Sequence, residues 1–196
     1  MKKVILLVFL AVGTMCYGQS KAALENVEQL TLFGVDFSNV SILGADEDGY
    51  SFIDAFGKIN GLFLSEPSKY VKPISKKTKI KIVNIDITAV EVLNKEMDRE
   101  KMFVGDTSTT PFTEEDVKAA IDKLDLPNKS GVGVVLLAQE LSKYAKKGVF
   151  ELVFFDIESR DILTHGTISG KAGGFGLRNY WAGSISRALN SIKLTK

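Results

Sequence analysis

The chain has 196 residues, 45% of them apolar, with 25 Lys and Arg against 24 Asp and Glu and a single cysteine. That length suits one domain with a sizeable core, and the near-balanced charge argues against electrostatic capture of nucleic acid or acidic membranes. A lone cysteine excludes an intrachain disulfide and a Cys-ligated metal.

Met1-Lys2-Lys3, the apolar run Val4 to Val12 and a small-residue stretch ending at Gly18 make up the three parts of a secretory signal peptide. The run is too short to span a bilayer, which takes roughly 20 apolar residues. Small side chains at Cys16 and Gly18 direct cleavage after Gly18, so residues 1–18 are expected to leave and 19–196 to form a single globular α/β domain. Lipidation at Cys16 is the competing reading, but Met15 stands where that signal wants a small residue. Cleavage takes away the cysteine with Lys2 and Lys3, moving the formal charge from +1 to −1. The expected location is the periplasm, the cell envelope or the extracellular space.

Leu24 to Leu32 reads as a short amphipathic lead-in. Val35 to Leu43, between Gly34 and Gly44, mixes β-branched and aromatic residues as a first strand does. Phe52, Phe56, Ile59 and Phe63 follow at helical spacing and predict an amphipathic helix. Pro67 and Pro73 bound a lysine-rich connector, and Ile80, Ile82, Val83, Ile85 and Ile87 predict a second strand. Thr88 and Glu91 have the spacing of a capping box opening a helix to about Asp98. Thr113 with Asp116, flanked by Phe112 and Val117, gives a second box with a hydrophobic staple and a helix over 114–124.

Val132 to Ala138 is almost continuously apolar, the pattern of a strand covered on both faces at the sheet centre. Gly148 to Ile157 is buried on both sides as well. The polar link Glu158-Ser159-Arg160-Asp161 joins it to Ile162–Ser169 as an antiparallel hairpin. Trp181, Ile185, Ala188, Leu189 and Ile192 share one stripe of a final amphipathic helix. The fold class is therefore α/β (α+β): a mixed five-stranded sheet with a C-terminal antiparallel meander and packed amphipathic helices.

Gly170-Lys171-Ala172-Gly173-Gly174-Phe175-Gly176 is the most unusual local composition. Backbone amides there could cradle an anion, but Gly-Lys-Ser/Thr is missing and Asn179 stands where a dinucleotide motif needs glycine. A tight turn with close backbone packing is the favoured reading. Arg178, Asn179 and Tyr180, directly after it, and Asp156 in an aromatic run are the candidate ligand-binding residues. A raised pKa at Asp156 would suit acid–base work, while its place beside the polar link favours a turn role. His165 has no partner identifiable by spacing, and a lone histidine is a poor metal site. Lys69, Lys72, Lys76, Lys77, Lys79 and Lys81 lack the interleaved aromatics of a nucleic-acid platform and read as a solvated connector and a lysine-protected edge strand, with contact to anionic envelope glycans or lipid headgroups as the alternative.

Val35-Asp36-Phe37-Ser38, Val153 to Ile157 and Gly174 to Gly183 together resemble a family of small exported Bacteroidetes proteins across nearly the whole mature chain. That resemblance implies export and carries no activity or catalytic residue to transfer. More loosely, the C-terminal order of strand, hairpin, glycine turn and helix is similar to periplasmic α/β domains of envelope lipoproteins and of curli-type secretion channels, which are binding and assembly modules. The expectation is a non-catalytic binding or assembly role, with no catalytic residue, metal or cofactor assigned. Its partner would be an envelope protein, a glycan or a lipid, not nucleic acid, and no membrane span remains after cleavage. One rival is a hydrolase with a cleft near Gly170–Trp181 using Asp156, Arg178 and Asn179. The other is a carrier of a lipid or apolar ligand, suggested by the Phe52–Phe63 face.

Overall fold

A computed structural model describes residues 21–105 and 109–194. The expected leader, with Cys16 and the cut after Gly18, lies outside the described residues. Within them, no helix is long and apolar enough to cross a membrane.

The strands are β1 (Gln29–Asp36), β2 (Ser41–Leu43), β3 (Lys81–Ile85), β4 (Val132–Ser142), β5 (Lys147–Asp156) and β6 (Ile162–Lys171). They form one mixed sheet in the order β3-β1-β4-β5-β6, and β2 also pairs with β4. The β1, β2 and β3 pairings are parallel, whereas β4-β5-β6 is an antiparallel meander. β4 is central, as its apolar run implies, because a strand covered on both faces has no polar side to present.

Helices cover both faces of this sheet. One face packs against α1 (Gly49–Ser65), α3 (Lys72–Thr78) and α6 (Leu177–Ser191) through Phe37, Phe52, Phe56, Phe63, Phe150, Phe154 and Trp181. The other packs against α4 (Thr88–Glu96) and α5 (Glu114–Asp122) through Phe33, Val135, Leu137, Val153 and Phe155. Alternate residues of β4 and β5 go to opposite cores, the period of two that strands impose. Phe52, Phe56 and Phe63 are fully buried, and Phe56 stacks on Phe37 at 3.9 Å. The face that suggested an apolar-ligand carrier is thus occupied by the protein's own core.

Four expectations are corrected. The lead-in through Leu32 is reduced to one 3-10 turn, Ala22–Leu24, and Leu30 and Leu32 already belong to β1. The single strand expected over 35–43 is two, making six strands among the described residues in place of five. The break is local: the Asp36 carboxylate accepts the Ser38 amide at 2.8 Å and the Phe37 carbonyl accepts the Val40 amide at 3.0 Å. The lysine-rich connector is helical, as α2 (Pro67–Tyr70) and α3, because each proline occupies the first turn, where its missing N–H costs nothing. At α4 the Thr88–Glu91 box is absent. Asp86 accepts the Thr88 amide at 3.0 Å instead, and Ile87 is the N-cap. The Thr113–Asp116 box of α5 is formed in both directions.

Among the described residues the end of β1 has no strand on its outer side, since pairing with β3 stops at Leu32–Ile85. Two buried amides replace the missing partner. Asn60 of α1 accepts the Val35 amide at 2.8 Å and donates to the Val35 carbonyl at 2.9 Å. Asn94 of α4 accepts the Phe37 amide at 2.6 Å and donates to the same carbonyl at 3.0 Å. Gly34 makes this possible: it has φ +83°, and a Cβ there would sit 2.6 Å from Asn60 Oδ1.

Candidate functional site

Three of the four candidate residues, Arg178, Asn179 and Tyr180, lie together on the first turn of α6. Asp156 does not join them. It ends β5, whereas the glycine segment adjoins the start of β5 through the Lys147–Lys171 and Gly148–Gly170 pairs. A ten-residue strand separates the two places, roughly 30 Å at about 3.3 Å per residue. The hydrolytic cleft drawn from Asp156, Arg178 and Asn179 therefore has no shared geometry. Asp156 Oδ1 accepts the Glu158 amide at 3.0 Å and the Ser159 amide at 2.9 Å. The Ser159 bond leads in holding this carboxyl below its ordinary value, the opposite of the shift that acid–base work would require.

At the α6 end, glycines allow helix and sheet to touch. A Cβ on Gly170 would fall 2.0 Å from the Ser184 carbonyl oxygen and 2.5 Å from the Ala188 amide nitrogen, both on the α6 backbone. Gly176 caps α6 with φ +77° and no side-chain cap bond. Asn179 donates to the Phe175 carbonyl at 3.1 Å and accepts from Arg178 Nη2 at 2.7 Å, which braces the turn. Tyr180 meets Trp181 edge to face at 4.9 Å, and Lys143 Nζ lies 5.3 Å over the Tyr180 ring. Lys143 also donates to Glu47 Oε1 at 2.8 Å. Burial pushes the Glu47 carboxyl up, but the Lys143 bond and nearby amides outweigh it and leave it below its usual value.

The turn between β4 and β5 closes on this segment: the Ala172 amide donates to the Lys146 carbonyl at 2.7 Å. Lys146, Lys147 and Lys171, with Ser169 and Gly170, line a groove of about 260 Å³. Among the described residues none of these three lysines enters a salt bridge. Lys147 and Lys171 stand directly opposite one another across the β5–β6 ladder, an arrangement of like charges that destabilises a sheet. Phe175, four residues after Lys171, is 96% exposed, and Tyr144 in the β4–β5 turn is 66% exposed.

The sheet face under α5 holds a second polar group of residues. His165 Nδ1 lies 2.7 Å from Glu151 Oε1, and Thr167 Oγ1 donates to Glu151 Oε2 at 2.8 Å. Their side chains are 12% exposed for His165 and 7% for Glu151. The bond to Glu151 is the first cause that raises the imidazole pKa above 6.5, with Glu114 of α5 adding to it against the effect of burial. Both Glu151 oxygens are committed inside the protein, so the trio is a closed network that ties β5 to β6. Sequence reasoning found His165 without this partner; the signal was a glutamate between Phe150 and Leu152 in an otherwise apolar strand.

Among the described residues no group of three or more His, Cys, Asp and Glu side chains is arranged to hold a metal ion. The fold and its α6 end define an α/β (α+β) module with an open six-stranded mixed sheet and a cationic, aromatic end. No protein-family model, no curated protein and no solved structure matches the chain.

Proposed function

We propose that this chain is an exported envelope module that works by binding, and that it binds through the end of the sheet where the β4–β5 turn meets the glycine segment and the start of α6. The leader-like residues 1–18 support export. The observation that carries the binding surface is the cost of that end: facing lysines that form no salt bridge among the described residues, and a phenylalanine almost wholly in water. Folding alone favours neither, since like charges in register repel and an exposed aromatic forgoes burial. By contrast, Asp156 and the Glu151–His165–Thr167 trio are used up by bonds within the fold.

A photo-crosslinking residue at position 175, compared with one at position 158 at the far end of β5, tests this in cells of the host. Adducts are expected from position 175 and not from 158, and they are expected to disappear when Lys146, Lys147 and Lys171 are changed to glutamate. Equal adducts from both positions, or none from 175, would overturn the assignment.

A further inference from the structure

Resting on that binding surface, we propose that its partner is an anionic phospholipid surface, with Phe175 entering the headgroup layer and Lys146, Lys147 and Lys171 meeting the phosphates. Phe175 sits in Gly173-Gly174-Phe175-Gly176, where φ is +144° at Gly174 and +77° at Gly176, so the glycines turn the chain outward around one aromatic residue. The ring is 96% exposed. A protein partner would instead call for a packed patch in which neighbouring residues exclude water around an anchor. A single projecting ring at the end of the sheet that also carries the three lysines suits a fluid interface, where the apolar ring passes the headgroups and long cationic side chains reach back to them.

Charge fits the same partner. The groove of about 260 Å³ lined by Lys146, Lys147 and Lys171 is small and open, suited to a phosphodiester more than to a folded chain. The acids at this end include Asp46, Glu47 and Asp48 of the loop after β2 and Glu140 of β4, which pairs with Val149 two residues from Lys147 and accepts the Thr109 hydroxyl. Glu47 is held by Lys143, Asp48 caps α1 by accepting the Ser51 amide, and Asp46 is exposed. None of them bonds to the three groove lysines. Arg187 adds a cation whose Nη1 donates to the Lys171 carbonyl at 2.8 Å.

The test is co-sedimentation of the chain from residue 19 with vesicles of phosphatidylcholine alone and of phosphatidylcholine with 30% phosphatidylglycerol, at low and high salt. Binding is expected to the anionic vesicles only, and it should weaken as salt is raised. Each lysine near an anionic surface contributes about a five-fold gain in partitioning, so the triple change Lys146→Gln, Lys147→Gln, Lys171→Gln should weaken binding about 100-fold. Phe175→Ser should weaken it about ten-fold or more. All four positions are on the surface, so unchanged urea unfolding will show that the variants are folded. Removing three charges from α3 instead, by Lys72→Gln, Lys76→Gln and Lys77→Gln, should change binding less than three-fold.

Equal binding to neutral vesicles, insensitivity to Phe175→Ser, or equal loss from the α3 variant would each overturn the proposal. Binding of soluble polyglutamate without binding of vesicles would overturn it in favour of an acidic polypeptide. If vesicles fail while position 175 still crosslinks to an envelope protein, the binding surface stands and the lipid assignment falls. If both fail, both fall.

Discussion

Replacing Asn94 with alanine removes the acceptor of the Phe37 amide and one of two side-chain donors to the Val35 carbonyl. Phe37 and Val35 are fully buried, and Asn94 is almost so, so water cannot take over the vacated bonds. An orphaned buried amide costs about 1–3 kcal/mol, and the carbonyl, which keeps Asn60, loses one bond worth about 0.5–1.5 kcal/mol. The expected loss is about 2–4 kcal/mol, or a fall in Tm of roughly 4–16 °C for a chain of this size. Equilibrium unfolding in urea measures it, and hydrogen exchange at Phe37 should accelerate in parallel. Asn190→Ala is the control: Asn190 also bonds a backbone carbonyl, that of Ser186 at 2.7 Å, but it is exposed, so its loss should stay within about 0.5 kcal/mol. Combining Asn94→Ala with Asn60→Ala strips the Val35 carbonyl of both amide donors, so the pair should cost more than the sum of the singles. An Asn94→Ala protein as stable as the parent would refute the view that these amides stand in for a missing strand.

Gly170→Ala drives a methyl into the α6 backbone and should cost about 3 kcal/mol or more, at the upper end for overpacking; calorimetry checks this, and a near-neutral result would mean that α6 can lift off β6 freely. Asp36 is 2% exposed, and burial, only partly offset by the Ser38 bonds, raises its pKa. The native state therefore holds that proton more tightly than the unfolded chain, and stability drains as pH rises from the unfolded value through the native one. Asp36→Asn, which keeps an acceptor for the Ser38 amide, should gain on the parent as pH increases, and a pH-independent difference in urea midpoints would contradict this. His165 follows the same sign in a higher window: the Glu151 bond contributes fully below about pH 6.5 and is lost as pH rises through the raised native value. His165→Gln should flatten the stability profile in that range.

Patterns of short range were legible in the chain. The Phe52–Phe63 stripe, the Thr113–Asp116 box, the apolar run of β4 and the Trp181–Ile192 stripe each lie within one element, where periodicity and capping chemistry act on residues a few positions apart. The glycine segment and the Asp156 turn were legible for the same reason. What failed were choices between local partners: Asp86 outcompeted Glu91 at α4, and Asp36 turned the chain where the β-branched run suggested one strand.

His165 shows what only tertiary structure could decide. A four-residue link over 158–161 pairs Ile157 with Ile162 and carries Phe154 opposite His165, which would put the imidazole in the α1–α6 core. The ladder instead shifts register at Phe154/Phe155, so Val153 faces His165 and Glu151 faces Thr167. Because side chains alternate along a strand, a slip of one residue moves a whole strand's side chains to the other face. That slip brought the histidine to its carboxylate. The meeting of Lys146, Lys147 and Lys171 has the same origin, since hairpin register sets it. By itself the sequence determined most of the helices and strands, though not helices α2 and α3 or the break between β1 and β2, and which faces are apolar. The pairing of strands decided which charged groups meet, because that depends on contacts between residues far apart in the chain.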